Sequence, residues 1–397
     1  MSNQYKEVVI VSAVRTPVGD FGGSFRDVPA LQLGNTAVEE ALQRVPGLEK
    51  EQVEEIIYGN CSQRSDEPNI ARCIALQCGF PVETTGFTIQ RQCSSAMQSI
   101  VSACQEIMLG DTEVAIAGGV ESMSSAPYVL KGARWGQRLQ HGEMTDALWE
   151  MLTDPVHKIM MGETAERLAE KYQISREEQD EIAYRSHMNA AAAIESGRFS
   201  EEIAAVAVQN RKGETVVDTD QHPRSDITKE KLAGLKTAFR KEGTVTAGNA
   251  SGLNDGAAAV VIMSAEKAEA LGLKPLARIV SYAWAGVEPD LMGYGPVPAT
   301  RLALSKARLD LEQIELIELN EAFAAQYLAC EKLLGLNRAI VNVNGSGVGL
   351  GHPVGCTGAR IVVTLLHEMA RRDNKLGLAS LCVGGGMGMA LVLERPS

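Results

Sequence analysis

Short apolar runs rich in Val and Ile recur along the chain, separated by longer stretches with helical spacing. These runs are Val8–Val11, Glu55–Tyr58, Val114–Ala117, Val260–Met263 and Ile317–Leu319. Because strands that alternate with helices build sheets covered by helices, this order predicts an α/β fold. With 397 residues, 45% hydrophobic and 22% charged, the chain can form two or three packed domains and lacks the composition of a disordered protein.

The region between Ser122 and Asn249 is more polar than its flanks and contains helical runs such as Arg176–Ala193. We interpret it as an inserted domain. The flanks resemble each other, since Val114–Gly119 and Leu381–Gly386 both end a strand-like run in glycines, which suggests an internal duplication. The predicted units are an N-terminal half over 1–121 completed by 250–275, an inserted domain over 122–249 and a C-terminal half over 276–397.

The chain is acidic, with 38 Lys and Arg against 50 Asp and Glu and a formal net charge of −12. Such a protein repels nucleic acid, so we predict no nucleic-acid partner, and a polyanionic ligand would need local Arg or Lys groups.

No apolar stretch approaches the roughly 18 residues of a membrane span and no leader pattern precedes the first strand, so we predict a cytoplasmic protein without a membrane partner. The eight cysteines include no C-x-x-C pair, which argues for free thiols and against structural zinc.

Cys93 lies in Gln90-Arg91-Gln92-Cys93-Ser94, where a strand end turns into a helix predicted to run to about Leu109. A thiol at a helix N-terminus ionises more easily and becomes a better nucleophile. The alternative is a buried, inert cysteine, an interpretation that suits Cys104 in the same helix.

His352 lies within a segment, 341–358, that is rich in glycine. So many glycines indicate that the backbone approaches another group closely, yet neither G-x-G-x-x-G nor G-x-x-x-x-G-K-[ST] fits, which disfavours a standard nucleotide phosphate loop. A single histidine is usually structural. One held between Gly351 and Pro353 has restricted freedom and can equally be presented to a ligand.

Two further residues follow strand-like runs. Cys382 begins Cys-Val-Gly-Gly-Gly-Met-Gly, and a thiol at a strand end beside bare backbone N–H groups suits acid–base chemistry next to an oxyanion site, although an incidental cysteine in a tight turn is the alternative. Asn320 follows Ile317–Leu319 and precedes a predicted helix. Its simplest role is to cap that helix.

Together these segments resemble the thiolase family from Val11 to Gly388. The shared motifs are Gln-Cys-Ser-Ser-Ala at Cys93, Asn-Glu-Ala-Phe from Asn320, Gly-His-Pro at His352 and Cys-x-Gly-Gly-Gly-x-Gly from Cys382. The resemblance implies two βαβαβαββ halves in a five-layer αβαβα core, with a loop domain inserted in the first half.

The resemblance also assigns chemistry. It implies that Cys93 takes the acyl group, that His352 activates Cys93 and helps form an oxyanion hole, and that Cys382 moves the proton at the α-carbon. Asn320 would hold a water that completes this hole, and the backbone N–H groups of Cys93 and Gly384 would form a second one. The implied reaction condenses two acetyl-CoA molecules or cleaves 3-ketoacyl-CoA with CoA, by a ping-pong route through acyl-Cys93. Coenzyme A is then a substrate, and no cofactor or metal is expected.

For the CoA substrate, the family pattern places Ser251 near the pantetheine and Arg224 near the adenine. Phe239 and Phe323 would line the thioester region. For Arg224, a solvated surface arginine is the equally plausible alternative from the residues alone.

Two departures from the family pattern are visible. Met161 lies in Met-Met-Gly at 160–162, where members specific for acetoacetyl-CoA carry His-Met-Gly, so strict acetoacetyl-CoA specificity is in doubt. Residues 345–348 read Gly-Ser-Gly-Val in place of Gly-Gly-Ala-Ile, which affects local backbone detail more than the role of His352.

Other hypotheses use the same residues. Cys93, His352 and Cys382 could form a Cys₂His zinc site with an open position. A ketoacyl synthase would carry histidine in place of Cys382, and a non-enzymatic acyl-CoA-binding protein would have no need of Cys382. Oxidation could join Cys93 to Cys382. By resemblance we expect a homodimer or homotetramer.

Overall fold

The structure is a computed structural model that describes residues 5–211 and 213–396. The first four residues of the predicted N-terminal half and the last residue of the C-terminal half therefore lie outside the described residues. The strands are β1 (Val8–Arg15), β2 (Gly19–Asp20), β3 (Glu55–Gly59), β4 (Thr85–Ile89), β5 (Val114–Ser122), β6 (Tyr128–Leu130), β7 (Met144–Asp146), β8 (Val206–Asn210), β9 (Gly213–Val217), β10 (Asn254–Ser264), β11 (Ala277–Gly286), β12 (Leu316–Leu319), β13 (Leu376–Val383) and β14 (Met387–Glu394).

The helices connect these strands and cover them. They are α1 (Ala30–Gln43), α2 (Ile70–Gln77), α3 (Ser95–Leu109), α4 (Ala147–Met151), α5 (Met161–Tyr172), α6 (Arg176–Glu195), α7 (Lys229–Ala233), α8 (Ala265–Ala270), α9 (Pro296–Ala307), α10 (Ala324–Leu334), α11 (Gly347–Leu350) and α12 (Val354–Arg372).

The main sheet consists of two halves with the same topology. The first half has the spatial order β4-β3-β5-β10-β1, and the second has β12-β13-β14-β11, with Val341 forming a parallel bridge to Ile317 beyond β12. In the first half β3 is parallel to β4 and β5, in the second β12 is parallel to β13 and to the bridge at Val341, and the remaining pairs of these orders are antiparallel. Among the described strands, the two halves are hydrogen bonded to each other where β1 pairs with β11, at Val9–Arg278 and Ile10–Ala277. This repeated order is the internal duplication that the sequence suggested weakly.

Helices α3 and α12 lie between the two halves and form the middle layer. Their apolar faces pack with the inner faces of both sheets in one buried cluster that includes Met97, Ile100, Val362 and Leu391. Helices α1 and α2 cover the outer face of the first half, and α9 and α10 cover the outer face of the second. The arrangement is the predicted five-layer α/β core, stabilised by burial of apolar side chains at about 1.5–3 kcal/mol each. It places the N-termini of α3 and α12 close together.

The chain between β5 and β10 forms the small hairpins β6–β7 and β8–β9 and helices α4 to α7. A buried arginine of β1 anchors this region, since Arg15 Nε lies 2.6 Å from Glu202 Oε1 and its Nη1 and Nη2 lie 2.7 and 2.8 Å from Asp220. The free-energy cost of burying these three charges is offset by the bidentate pairing of Arg15 with Asp220 and by its hydrogen bond to Glu202. The bounds of the three predicted units stay a prediction.

None of the described helices combines the length and apolar character that a membrane crossing requires.

Candidate active site

Cys93 lies in a tight turn between β4 and α3. Gln92 has a φ of 45°, in the left-handed region, and the N–H groups of Ser94 and Ser95 donate to the carbonyls of Arg91 and Gln92. The turn reverses the chain within three residues. It presents Cys93 two residues before the first residue of α3, close to the predicted helix start.

The Cys93 thiol is a weaker acid than its position suggests. Burial raises its pKa to about 11, although the backbone N–H groups of Gly384 and of Cys93 itself favour the thiolate. The expectation of easier ionisation at a helix N-terminus is therefore wrong for the free protein, because desolvation outweighs the local dipoles. To act as the predicted nucleophile, Cys93 would need a base to take its proton.

His352 has the properties of that base. Its Nδ1 lies 2.6 Å from the hydroxyl of Thr357, and the same hydroxyl donates to the carbonyl of Pro353 at 2.9 Å. A hydroxyl has one hydrogen, so Thr357 must accept from Nδ1–H, which leaves Nε2 with a free lone pair. Burial, with a contribution from Arg360, lowers the pKa of His352 to about 3, so the ring is neutral.

The backbone at His352 is held by Asn254, the first residue of β10. Asn254 Oδ1 accepts the N–H of His352 at 2.9 Å, and Asn254 Nδ2 donates to the carbonyl of Gly19 at 3.1 Å. Gly351 has a φ of 97°, and a Cβ there would lie 2.6 Å from the Asn254 side chain. Glycine at 351 is required for both reasons, conformation and close approach.

Cys382 lies at the end of β13 with no exposed surface. Burial raises its pKa well above the usual value, and the neighbouring Cys93 raises it further. The structure thus brings the two predicted thiols together. Gly385 and Gly386, with φ of 82° and 84°, turn the chain into β14 and leave Gly384 beside Cys93 in a shared cavity wall.

Asn320 does not cap a helix, because α10 begins at Ala324 and its N-cap is Phe323. The side chain of Asn320 is fully buried, and neither of its polar atoms has a partner among the described protein groups. Buried amides are ordinarily paired, with water where protein groups are missing. The capping interpretation is wrong, and the geometry suits an amide that holds water.

Six predicted residues line one small cavity. They are Cys93, Met161, Phe239, Ser251, Phe323 and His352. Within it, the rings of Phe239 and Phe323 meet edge to face at 6.1 Å, and a Cβ at Gly162 would lie 2.2 Å from the Phe239 ring. The wall is otherwise largely apolar, which suits a thioester, and Cys93 is partly exposed within it.

Arg224 lines a neighbouring cleft that shares Ala250 with this cavity. His187, His222 and Lys231 lie on the same cleft wall. Burial lowers the pKa of His187 to about 4, so this ring is neutral, and Lys231 Nζ pairs at 2.7 Å with Asp226 on the same wall. Arg224 therefore supplies positive charge on this wall for a polyanionic ligand. Arg224 is itself exposed, so the surface interpretation stays open beside the ligand-binding one.

A second cavity of about 490 Å³ reaches Cys93 and Gly384 from another side. Its apolar wall includes Met151, Leu152, Val354 and Met387. The nucleophile therefore lies where two cavities meet.

Sequence reasoning missed three residues that support the site: Glu121, Asn254 and Thr357. Asn254 and Thr357 lie within or beside the motifs around Ser251 and His352, so position was an available signal. Glu121 lies in a strand and had no signal at all. In the described parts of the chain, no three His, Cys, Asp or Glu side chains are grouped to hold a metal ion, which leaves the zinc hypothesis without a donor set.

Two family models match the chain, "Thiolase, N-terminal domain" over residues 8–266 and "Thiolase, C-terminal domain" over 273–395. An acetyl-CoA acetyltransferase from Pseudomonas aeruginosa is 53% identical over 98% of this chain and 100% of that protein. A Bacillus anthracis acetyl-CoA acetyltransferase structure has a TM-score of 0.98 at 60% identity and covers 100% of both chains. Human mitochondrial 3-ketoacyl-CoA thiolase in complex with CoA has a TM-score of 0.95 at 43% identity, over 99% of this chain and 98% of that one. These similarities confirm the predicted fold.

Proposed function

The chain belongs to the thiolase family, and from that premise we propose that it transfers acyl groups between thioesters through an acyl-Cys93 intermediate. The observation that carries the proposal is that Cys93 and His352, from separate parts of the chain, line one cavity, while the buried Cys382 lies beside Cys93, which raises the pKa of the Cys382 thiol. Two thiols and a neutral imidazole are the groups that carbon–carbon cleavage beside a thioester requires.

The cleavage begins with the proton of Cys93. His352 Nε2 takes it, and the thiolate attacks the 3-keto carbon of a 3-ketoacyl-CoA. The negative charge that develops on the attacked oxygen is stabilised by hydrogen bonds from the site, the role we assign to His352 Nε2–H and an Asn320-held water.

The carbon–carbon bond then breaks. The departing acetyl-CoA enolate is stabilised by the N–H groups of Cys93 and Gly384, and the thiol of Cys382 protonates its carbon. A second CoA then gives its thiol proton to the Cys382 thiolate and attacks the acyl-Cys93 thioester. The Cys93 sulfur leaves as a thiolate and takes back the proton held by His352, which regenerates the enzyme. The same steps in reverse condense two acetyl-CoA molecules, and the geometry sets no direction.

Coenzyme A enters this scheme as a substrate. We assign its nucleotide end to the cleft of Arg224 and its pantetheine to the neighbourhood of Ser251, because Arg224 offers positive charge there and the cleft adjoins the cavity of Cys93 at Ala250. A homodimer or homotetramer, a cytoplasmic location and a Cys93–Cys382 disulfide under oxidation stay predictions from the sequence.

For the acyl chain, we favour 3-ketoacyl-CoA substrates longer than acetoacetyl-CoA as well as acetoacetyl-CoA itself. Apolar residues of the second cavity lie beside Cys93, although Arg91 and Asp154 also line that cavity, and Met160 supplies no polar group to the wall of the first cavity. Among the described residues that line the second cavity, none favours strict specificity for acetoacetyl-CoA.

The test is CoA-dependent cleavage of 3-ketoacyl-CoA substrates of four to sixteen acyl carbons by wild type and by Cys93→Ser. A matched control is Cys104→Ser, further along α3 and outside the lining of the cavity, where the sulfur contacts Met108 at 3.7 Å. We expect cleavage across several lengths in wild type and the control, and none in Cys93→Ser. Cleavage that persists without Cys93 contradicts the mechanism, and cleavage confined to four carbons contradicts the broader substrate range.

A further inference from the structure

Glu121, near the end of β5, has no exposed surface and forms no ion pair within the described residues, yet its carboxylate is fully hydrogen bonded. Its Oε1 accepts the N–H of Ser62 at 2.9 Å and a longer contact from Asn60 Nδ2 at 3.3 Å. Its Oε2 accepts the N–H groups of Cys61 at 3.1 Å and Gly355 at 2.8 Å. A buried carboxylate without a cation is costly, so its presence calls for a reason.

The groups that donate to Glu121 belong to two separate segments, one that supports Cys93 and one that supports His352. Asn60, Cys61 and Ser62 form the turn after β3, and the Cys61 thiol donates to the carbonyl of Gln92 at 3.1 Å, the residue before Cys93. This turn therefore lies directly behind the nucleophile.

Gly355 belongs to the other support. It is in the first turn of α12, three residues after His352, where helical N–H groups have no partner within the helix. The carboxylate of Glu121 accepts one of these N–H groups. A single side chain thus connects the turn behind Cys93 with the helix start behind His352.

Helix α12 and strand β5 are closely packed at this point. A Cβ at Gly355 would lie 2.7 Å from Glu121 Oε2, and a Cβ at Gly119 would lie 2.3 Å from the carbonyl of Gly355. The distance between the two supports is therefore set by backbone packing, and the carboxylate fills the remaining polar gap.

We propose that Glu121 is a positioning residue that keeps Cys93 and His352 in register, a role that rests on the proposed function. It does not exchange protons with substrate, because a carboxylate has about four lone-pair sites and four donors already occupy them. Its effect reaches the reaction through the backbone at Gln92 and Gly355. A displacement of about 1 Å at such a pair costs on the order of 100-fold in rate.

The test replaces the carboxylate with groups of similar shape. Glu121→Gln keeps the volume but directs an NH₂ group at two N–H donors, and Glu121→Asp keeps the charge on a shorter arm. The matched control is Glu166→Gln, since Glu166 is also buried and accepts the backbone N–H groups of Thr244 and Val245 in the inserted region.

We expect Glu121→Gln to lower kcat by about 30-fold to 100-fold while KM stays within about twofold. Glu121→Asp should recover part of kcat, and Glu166→Gln should lose stability without a comparable loss of kcat. The rate of Cys93 alkylation by iodoacetamide, followed by mass spectrometry of the Cys93 peptide, should fall at least about tenfold in Glu121→Gln.

The proposal is overturned if Glu121→Gln keeps kcat and the alkylation rate within about threefold of wild type, or if the kcat of both Gln variants falls in proportion to their loss of stability. If Glu121→Gln does not fold, Glu121→Asp carries the same comparison, and wild-type rates in it overturn the proposal. Alkylation needs no CoA substrate. A wild type that cleaves no 3-ketoacyl-CoA would thus defeat the proposed function, while the alkylation rates still decide the role of Glu121.

Discussion

The hydroxyl of Thr357 lies 2.6 Å from Nδ1 of His352 and donates its one hydrogen to the carbonyl of Pro353 at 2.9 Å. This pair of bonds makes the hydroxyl an acceptor for the imidazole and so selects the tautomer in which Nε2 is free. The tautomer of His352, which we propose as the base for Cys93, is thus set by a side chain outside the lining of the cavity.

Thr357→Val removes this acceptor at nearly constant volume. We expect kcat to fall by about tenfold or more, because the ring loses its fixed tautomer and orientation, while Thr357→Ser retains most of the activity. The tautomer is measured directly from the ¹⁵N chemical shifts of His352. A Val variant with wild-type kcat and wild-type shifts would show that the hydroxyl does not select the tautomer.

The low pKa of His352 makes stability depend on pH in a defined direction. The unfolded ring titrates near 6.5 and the folded ring near 3, so the unfolded state binds more protons in between. The contribution of His352 is therefore fully present above pH 6.5 and decreases as the pH falls, by up to about 1.4 kcal/mol per pH unit. Urea midpoints of wild type and His352→Gln between pH 7 and 5 measure it. On acidification the urea midpoint of wild type should fall relative to that of His352→Gln. Midpoints that change in parallel would contradict the low pKa assigned to His352.

Gly162 makes room for the ring of Phe239. In Gly162→Ala the new Cβ would lie 2.2 Å from that ring, so the ring must move into the cavity or away from Phe323. We expect kcat/KM to fall at least about tenfold. Gly234→Ala, whose Cβ would meet its nearest atom at 3.5 Å, is the control and should leave kcat/KM unchanged. Equal effects of the two substitutions on kcat/KM would show that the position of Phe239 does not matter for the reaction.

Arg15 joins β1 to the inserted region through buried carboxylates. Arg15→Met leaves Glu202 and Asp220 buried without their cation, which we expect to cost about 3–5 kcal/mol in the free energy of unfolding. Arg26→Met removes an exposed pair with Asp27 and should leave the urea midpoint unchanged. A small effect at Arg15 would mean that water reaches the two carboxylates.

The motifs around Cys93, His352 and Cys382 could be recognised in the sequence because each is local: a strand end, a run of glycines and a reactive side chain within a few positions. The capping role of Asn320 was wrong, because the helix after it begins four residues later, at Ala324. The prediction that Cys93 ionises easily was wrong for another reason. Helix position is visible in a sequence, whereas the desolvation that raises the pKa of the thiol depends on every segment packed around it.

By itself the sequence determined the α/β class, the polar insert and the identity of the reactive groups, because strand and helix periodicity and the glycine motifs are short-range properties of the chain. Only the tertiary structure decided how those groups work together. Glu121 bonds to Gly355 across 234 positions, and Asn254 to His352 across 98. Such contacts depend on the packing of two duplicated halves, and no local pattern of residues encodes the distance between them.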